Sequence, residues 1–189
     1  MQTLSDNLIL YHGSYAPINL VDLSKCKDGK DFGRGFYLTS SFAQAKSFIP
    51  MSVKKQVLKR NLDPNTDFGF VSVFKLHVTC ELEFFKFDST DSKWLHFIAA
   101  NRKDDIFPEI KTKYKKYDII AGKIANDHTA KTLQFYLNGA FGEPGTKIAD
   151  DFAIKSLLPN RLEYQYCFCT EKAIQALEAI GCERYEFKR

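Results

Sequence analysis

Two short runs near the start of the chain hold residues suited to gripping a flat ligand. The first is Leu8-Ile9-Leu10-Tyr11-His12-Gly13-Ser14; the second is Asp31-Phe32-Gly33-Arg34-Gly35-Phe36-Tyr37-Leu38-Thr39. Each is apolar and strand-like, and each sets a polar or aromatic ring beside a glycine. A glycine has no Cβ, so its backbone approaches a planar group closely. His12 stands before Gly13 and Ser14, where a strand ends in an accessible turn. Tyr37 has Gly35 and Gly33 two and four residues before it. Taken singly, each ring has an ordinary explanation, a satisfied core histidine and a packing tyrosine. Together, on strands able to be neighbours, they point to a binding site for a flat ring.

The combination resembles the nicotinamide end of the ADP-ribosyltransferase superfamily, the diphtheria-toxin-like and poly(ADP-ribose)-polymerase-like enzymes. His12-Gly13 matches the family's His-Gly on the first core strand. Gly33-Arg34-Gly35-Phe36-Tyr37 matches its Gly-x-Gly-x-Tyr, and the family's second ring, eleven residues further on, falls on Phe48. The resemblance implies that His12 bonds the ribose of the nicotinamide nucleoside. It implies that the Gly13 backbone clamps the carboxamide, flanked by Ser14 and Gly35, while Tyr37 and Phe48 sandwich the ring. NAD would be the co-substrate, with no metal.

The family's catalytic glutamate opens a late strand, often as Glu-x-Glu or Gln-x-Glu. Here Glu163-Tyr164-Gln165 carries that order reversed, so Gln165 falls at the catalytic position with Glu163 two residues before it. A glutamine holds a hydroxyl but brings no charge to the oxocarbenium-like state in which the nicotinamide–ribose bond breaks. Four outcomes follow: Glu163 serves, Asp127 reaches in, the enzyme works slowly without a charge, or transfer is lost.

From residue 8 to about 180 the chain is also similar to an uncharacterised bacterial group within this superfamily. The likeness rests on Tyr11 to Ser14, Asp31 to Thr39, Trp94 to Arg102, Asp118 to Gly122 with Ala125-Asn126-Asp127, and Gln165 to Thr170. It implies a mono-ADP-ribosyltransferase acting as a toxin or defence effector on a protein or nucleic-acid acceptor, with a small neighbouring antitoxin-like partner. It places Asn126 and Asp127 at the cofactor. Asp127 is equally suited to cap the helix that follows.

Composition sets the frame. The 189 residues read as one domain, 1–189, large enough for a substantial core. Seventeen phenylalanines and nine tyrosines against one tryptophan call for an aromatic core. A net charge of +4 is too small to imply a polyanion partner by itself. The N-terminus lacks a basic and then apolar leader, and no apolar run is long enough to cross a membrane. The expectation is a cytoplasmic protein without a membrane partner. Five irregularly spaced cysteines make a poor disulfide framework. Cys167 and Cys169 share a strand face and read as buried thiols rather than a metal or redox pair.

The elements that must position these residues follow from pattern. Strands are predicted at 8–12, 35–39, 70–79, 82–87, 117–124 and 162–170. A helix capped by Ser41 runs to Pro50, and others cover 93–101, 129–137 and 150–158. Thr170 caps a last helix whose apolar face is Ala173, Ile174, Leu177 and Ile180, stopped by Gly181, before an edge strand at 183–187. Lys111 to Tyr117, basic with interleaved tyrosines, reads as a solvated loop and edge strand. The rival reading makes it a nucleic-acid grip in a binding module indifferent to NAD. Asn101-Arg102 reads as a solvated helix C-terminus, with Arg102 favourably placed at the dipole, ahead of a phosphate contact. A second rival is a degenerate transferase that binds NAD without cleaving it. Strands crowd the centre without a βαβ rhythm, which predicts an α+β fold, and the resemblance makes it a split β-sheet with flanking helices.

Overall fold

The computed structural model describes residues 4–124, 127–157 and 164–188. It is an α+β arrangement with two sheets. The elements run β1 (Leu8–Ser14), β2 (Phe36–Leu38), α1 (Phe42–Leu58), β3 (Phe68–Leu76), β4 (Phe84–Lys86), α2 (Ser92–Arg102), α3 (Pro108–Tyr114), β5 (Ile119–Lys123), α4 (Asp127–Leu137), α5 (Lys147–Ser156), β6 (Tyr164–Phe168), α6 (Glu171–Gln175) and β7 (Leu177–Glu186). One sheet has the order β1-β3-β7 and the other β2-β6-β5-β4. Every pairing is antiparallel except β4 with β5. The sheets touch at one rung, where Tyr11 and Thr39 exchange backbone bonds of 2.8 and 3.0 Å.

Burial divides the interior into three. Leu10, Phe36, Leu38, Phe74, Ile119 and Phe168 come from both sheets and form the layer between them. The outer face of the four-stranded sheet packs on α2, α4 and α5 through Phe32, Phe87, Trp94, Phe97, Leu133 and Tyr136. Ala45, Ile49 and Val53 on one stripe of α1 cover Val71. Aromatic rings fill the second cluster, Tyr114 meeting Phe85 edge to face at 4.9 Å and Phe97 at a tilt at 4.6 Å.

The structure departs from the sequence reading in three places. Pro50 does not end α1, which continues to Leu58. The proline removes one backbone donor, but burying Ile49 and Val53 on either side of it favours an unbroken helix. The basic run at 111–117 is mostly the helix α3 rather than a loop and edge strand. Pro108 opens it after Phe107, whose φ is 53°, and buried Tyr114 draws it onto the aromatic cluster. The last helix stops at Gln175 instead of Gly181, and Leu177–Glu186 forms β7. Ile180 is 46% exposed and offers no helical apolar face, whereas pairing β7 along all of β3 closes that strand's second edge. No described helix is long and apolar enough to cross a membrane.

Candidate functional site at the split between the sheets

The gap where β1 leaves β2 gathers the ring-binding residues. Tyr11 directs its backbone N–H and C=O to Thr39, away from β3. In an antiparallel ladder every second residue points the same way. Gly13 therefore also turns its N–H and C=O to the open edge. The bridge between the sheets does not extend to a Gly13–Tyr37 rung. Instead the His12 side chain reaches across, Nδ1 lying 2.8 Å from the Tyr37 carbonyl oxygen.

That contact fixes the imidazole. A carbonyl only accepts, so Nδ1 carries the hydrogen and Nε2 keeps its lone pair. Burial pulls the His12 pKa down to about 4; the Tyr37 carbonyl opposes this and the Lys30 ammonium adds to it. His12 is thus a neutral acceptor at neutral pH, with Phe36 4.6 Å from its ring centre. One edge of the gap offers a backbone donor and acceptor from one residue, next to a lone pair suited to a hydroxyl.

Tyr37 is anchored at its far end. Its hydroxyl donates to the Gly33 carbonyl at 2.8 Å and accepts from the Phe32 N–H at 3.0 Å. Burial pushes the phenol well above its ordinary value, so it stays protonated. Lys30 Nζ lies 4.9 Å from the ring centroid, a cation on the face of the tyrosine. The loop holding these contacts is itself pinned. The buried Asp31 carboxylate accepts from Arg102 Nε at 2.6 Å and Nη2 at 2.5 Å, and Asn101 Nδ2 donates to the Asp31 carbonyl at 3.3 Å. Arg102 is therefore a clamp on the Tyr37 loop rather than a solvated helix end. No local signal could have found this, because Arg102 and Asp31 lie 71 residues apart.

The two glycines have a packing duty that the sequence reading did not foresee. A Cβ on Gly13 would stand 1.7 Å from the Ala45 carbonyl oxygen, where α1 crosses β1. One on Gly35 would stand 2.4 Å from Cys167 Sγ. Both positions need glycine whether or not a ligand binds. Ser14 is buried at the end of β1, opposite Phe70.

Gln165 lies opposite Gly122 on β6 and two residues before Cys167, which pairs with Tyr37. Alternation along the strand puts Gln165 on the same sheet face as the Tyr37 ring. Its amide takes no partner among the described residues. Phe48 stands on α1, 40% exposed, with Lys55 Nζ 5.9 Å from its ring. Among the described residues no ring contact joins it to Tyr37. The structure thus brings His12 to the Tyr37 backbone carbonyl, packs the Tyr37 ring against the outer-face cluster, sets Gln165 on that same face and leaves Phe48 on the helix. Glu163 and Asn126 lie outside the described residues, as does the side chain of Asp127, the first residue of α4.

Cys167 Sγ and Cys169 Sγ are free thiols 3.5 Å apart, and burial pushes the Cys167 thiol well above its ordinary value. Among the described residues no group of three His, Cys, Asp or Glu side chains could hold a metal ion.

The molecule is thus an α+β protein with a neutral histidine and an open backbone edge at the junction of two sheets. A family model described as a protein of unknown function, DUF3990, matches residues 8–179, and the chain belongs to that family. No curated protein matches it in sequence.

Proposed function

We propose that this protein is an NAD-dependent mono-ADP-ribosyltransferase with an ADP-ribosyltransferase-like split sheet. The observation that carries the reading is the His12–Tyr37 crossing: the Nδ1 bond to the Tyr37 carbonyl keeps His12 Nε2 as an acceptor, next in sequence to Gly13, whose backbone turns outward like that of Tyr11. A carboxamide has one donor and one acceptor group, the complement of the Gly13 N–H and C=O. A ribose hydroxyl is the complement of a neutral Nε2. The cation on Tyr37 supports the same reading: a ring face that attracts an ammonium also attracts a positively charged pyridinium.

The residues would act by holding and orienting. Gly13 and Tyr37 seat the nicotinamide, and His12 accepts from a ribose hydroxyl. Gln165 holds a second hydroxyl near the reacting carbon through its amide oxygen. The acceptor's nucleophilic atom bonds to the ribose carbon as the bond to nicotinamide breaks, and nicotinamide leaves with the electron pair. Because Gln165 brings no charge, transition-state stabilisation at this position is by dipole alone.

Nicotinamide release from NAD, followed by chromatography, tests the reading. The parent should release nicotinamide and Gln165→Ala should do so more slowly. Gln165→Glu should equal or exceed the parent, since a charge facing a developing cation lowers the barrier. Calorimetry should show weaker NAD binding for Tyr37→Ala, by about 1 kcal/mol or somewhat more. A parent that binds NAD and releases no nicotinamide is a binding domain, which overturns the transferase reading; one that does not bind NAD at all overturns the site as well.

A further inference from the structure

The cations of this chain are not evenly spread. Residues 22–60 hold nine lysines and arginines against three aspartates and no glutamate, while the whole chain holds 27 basic and 23 acidic residues. The positive charge therefore sits in the loop from β1 to β2 and in α1. Of the three aspartates, Asp31 is engaged outside the segment by Arg102, and Asp22 sits 3.5 Å from Lys25.

The fold lays this loop along α1. The Tyr15 N–H donates to Ser52 Oγ at 3.1 Å. Further along, the Lys59 ammonium is held below its ordinary value chiefly by Lys27, with Lys55 adding to the effect. Phe48, Ser52 and Lys55 recur at helical spacing and share one face of α1, with Lys59 at its C-cap. Phe48 is 40% and Tyr15 36% exposed. The same loop carries Lys30 onto the Tyr37 ring. Two rings, at Phe48 and at Tyr15 beside Ser52, are thus followed along this face by Lys55 and by Lys59 with Lys27, and among the described residues no carboxylate pairs with Lys27, Lys30, Lys55 or Lys59. Like charges gathered without a counter-ion repel until an anion joins them. The diphosphate of one dinucleotide carries too little charge to match the surplus.

We propose that the face formed by Tyr15, Lys27, Phe48, Lys55 and Lys59 binds single-stranded nucleic acid, which is the acceptor presented to the site. Lysines gripping a phosphate backbone while rings stack on unpaired bases is the chemistry that such a strand requires. The acceptor role rests on the NAD reading; the binding does not. In transfer, a nucleophilic atom of the strand bonds to the ribose carbon, the carbon–nitrogen bond to nicotinamide breaks, nicotinamide takes the electron pair, and the strand's proton passes to solvent. The α3 lysines make a poorer candidate, because acidic Asp104 already engages Lys111 there.

Fluorescence anisotropy with a labelled short single strand of mixed sequence, without NAD, tests the binding. The parent should bind, with affinity falling as salt rises. Lys27→Glu, Lys55→Glu and Lys59→Glu combined should weaken binding at least tenfold and reduce the salt slope by about two, each phosphate contact contributing about 0.7. The corresponding Gln triple should show a smaller loss in the same direction. Lys113→Glu, Lys115→Glu and Lys116→Glu combined should bind like the parent. Equal binding by the parent and the first triple variant, or tighter binding of a duplex or a polyglutamate peptide, overturns the proposal. NAD supplied with the strand should yield an ADP-ribosylated strand, detected by mass. Nicotinamide release without strand modification overturns the acceptor assignment and leaves the NAD reading standing. Strand binding without nicotinamide release overturns the NAD reading, and the acceptor role with it, and leaves the basic face standing.

Discussion

Two of the less exposed histidines, His12 and His96, each have one ring nitrogen pinned by an oxygen, and the identity of that oxygen separates them. His12 meets the Tyr37 backbone carbonyl in the gap between the sheets. His96 on α2 meets the Asp150 carboxylate, Nε2 to Oδ2 at 2.6 Å, with its ring 4.3 Å from Phe107. Asp150 is itself buried and fully engaged. Its other oxygen accepts from the Tyr136 hydroxyl at 2.5 Å and the Gly145 N–H at 3.1 Å. Burial and this carboxylate push the Tyr136 phenol up. The cluster ties α2, α4 and α5 into one unit. A polar group whose partners are all internal rigidifies a core. One that faces a gap with a lone pair to spare is available to a ligand. The difference lies in what surrounds each ring rather than in residue type.

The largest effect should come from breaking the closed cluster. Asp150→Ala takes the carboxylate from the Tyr136 hydroxyl and from His96 Nε2, leaving the Gly145 N–H only the Tyr136 oxygen at 3.0 Å, and should cost about 3 kcal/mol or more in denaturant unfolding. Nicotinamide release per folded molecule should stay near the parent value. A comparable loss of stability in His12→Gln would erase the contrast between the two sites.

Next, His12→Gln should lower nicotinamide release by about a hundredfold, some 2.7 kcal/mol of transition-state binding, while changing stability at pH 7 by less than about 1 kcal/mol. An active His12→Gln would mean that Nε2 does not meet the substrate.

The pH dependence sharpens the same point. With the folded-state pKa of His12 pulled down to about 4, against an ordinary value of 6.5, protonation favours the unfolded chain. Its neutral form supports folding fully above pH 6.5, and that support is lost as pH falls from 6.5 to 4. At pH 4.5 the parent should have lost about 2.5 kcal/mol from this source. The loss should be absent from His12→Gln in paired denaturant melts at pH 7 and 4.5. Parallel pH profiles would place the imidazole in water.

The smallest effect belongs to Lys30. Lys30→Ala removes a cation–π contact of an exposed ammonium, so stability should change by less than about 1 kcal/mol. The Tyr37 face becomes free, and neutral nicotinamide should bind the variant at least as well as the parent in calorimetry. Weaker nicotinamide binding would show that the lysine supports the ring site rather than covering it.

Local pattern determined a good deal about this protein. The short apolar runs around His12 and Tyr37 placed both on strands, because runs of that length bounded by glycine and turn residues are too short for helices. Ser41 and Thr170 cap helices as their sequence context predicted, each side chain accepting from a backbone N–H three residues on. The α+β class followed from the order of these elements.

Tertiary structure decided the rest. Only packing could carry α1 past Pro50, turn Leu177 to Glu186 into a strand along β3, and curl Lys111 to Tyr114 into a helix under an aromatic cluster. In each case burial or strand pairing outweighed a local signal of about 1–3 kcal/mol. The clamp of Arg102 on Asp31, the carbonyl that fixes the His12 tautomer, and the line of lysines from Lys27 to Lys59 join residues distant in sequence. A sequence records which groups a chain carries; which of them meet is set by the free energy of the whole fold.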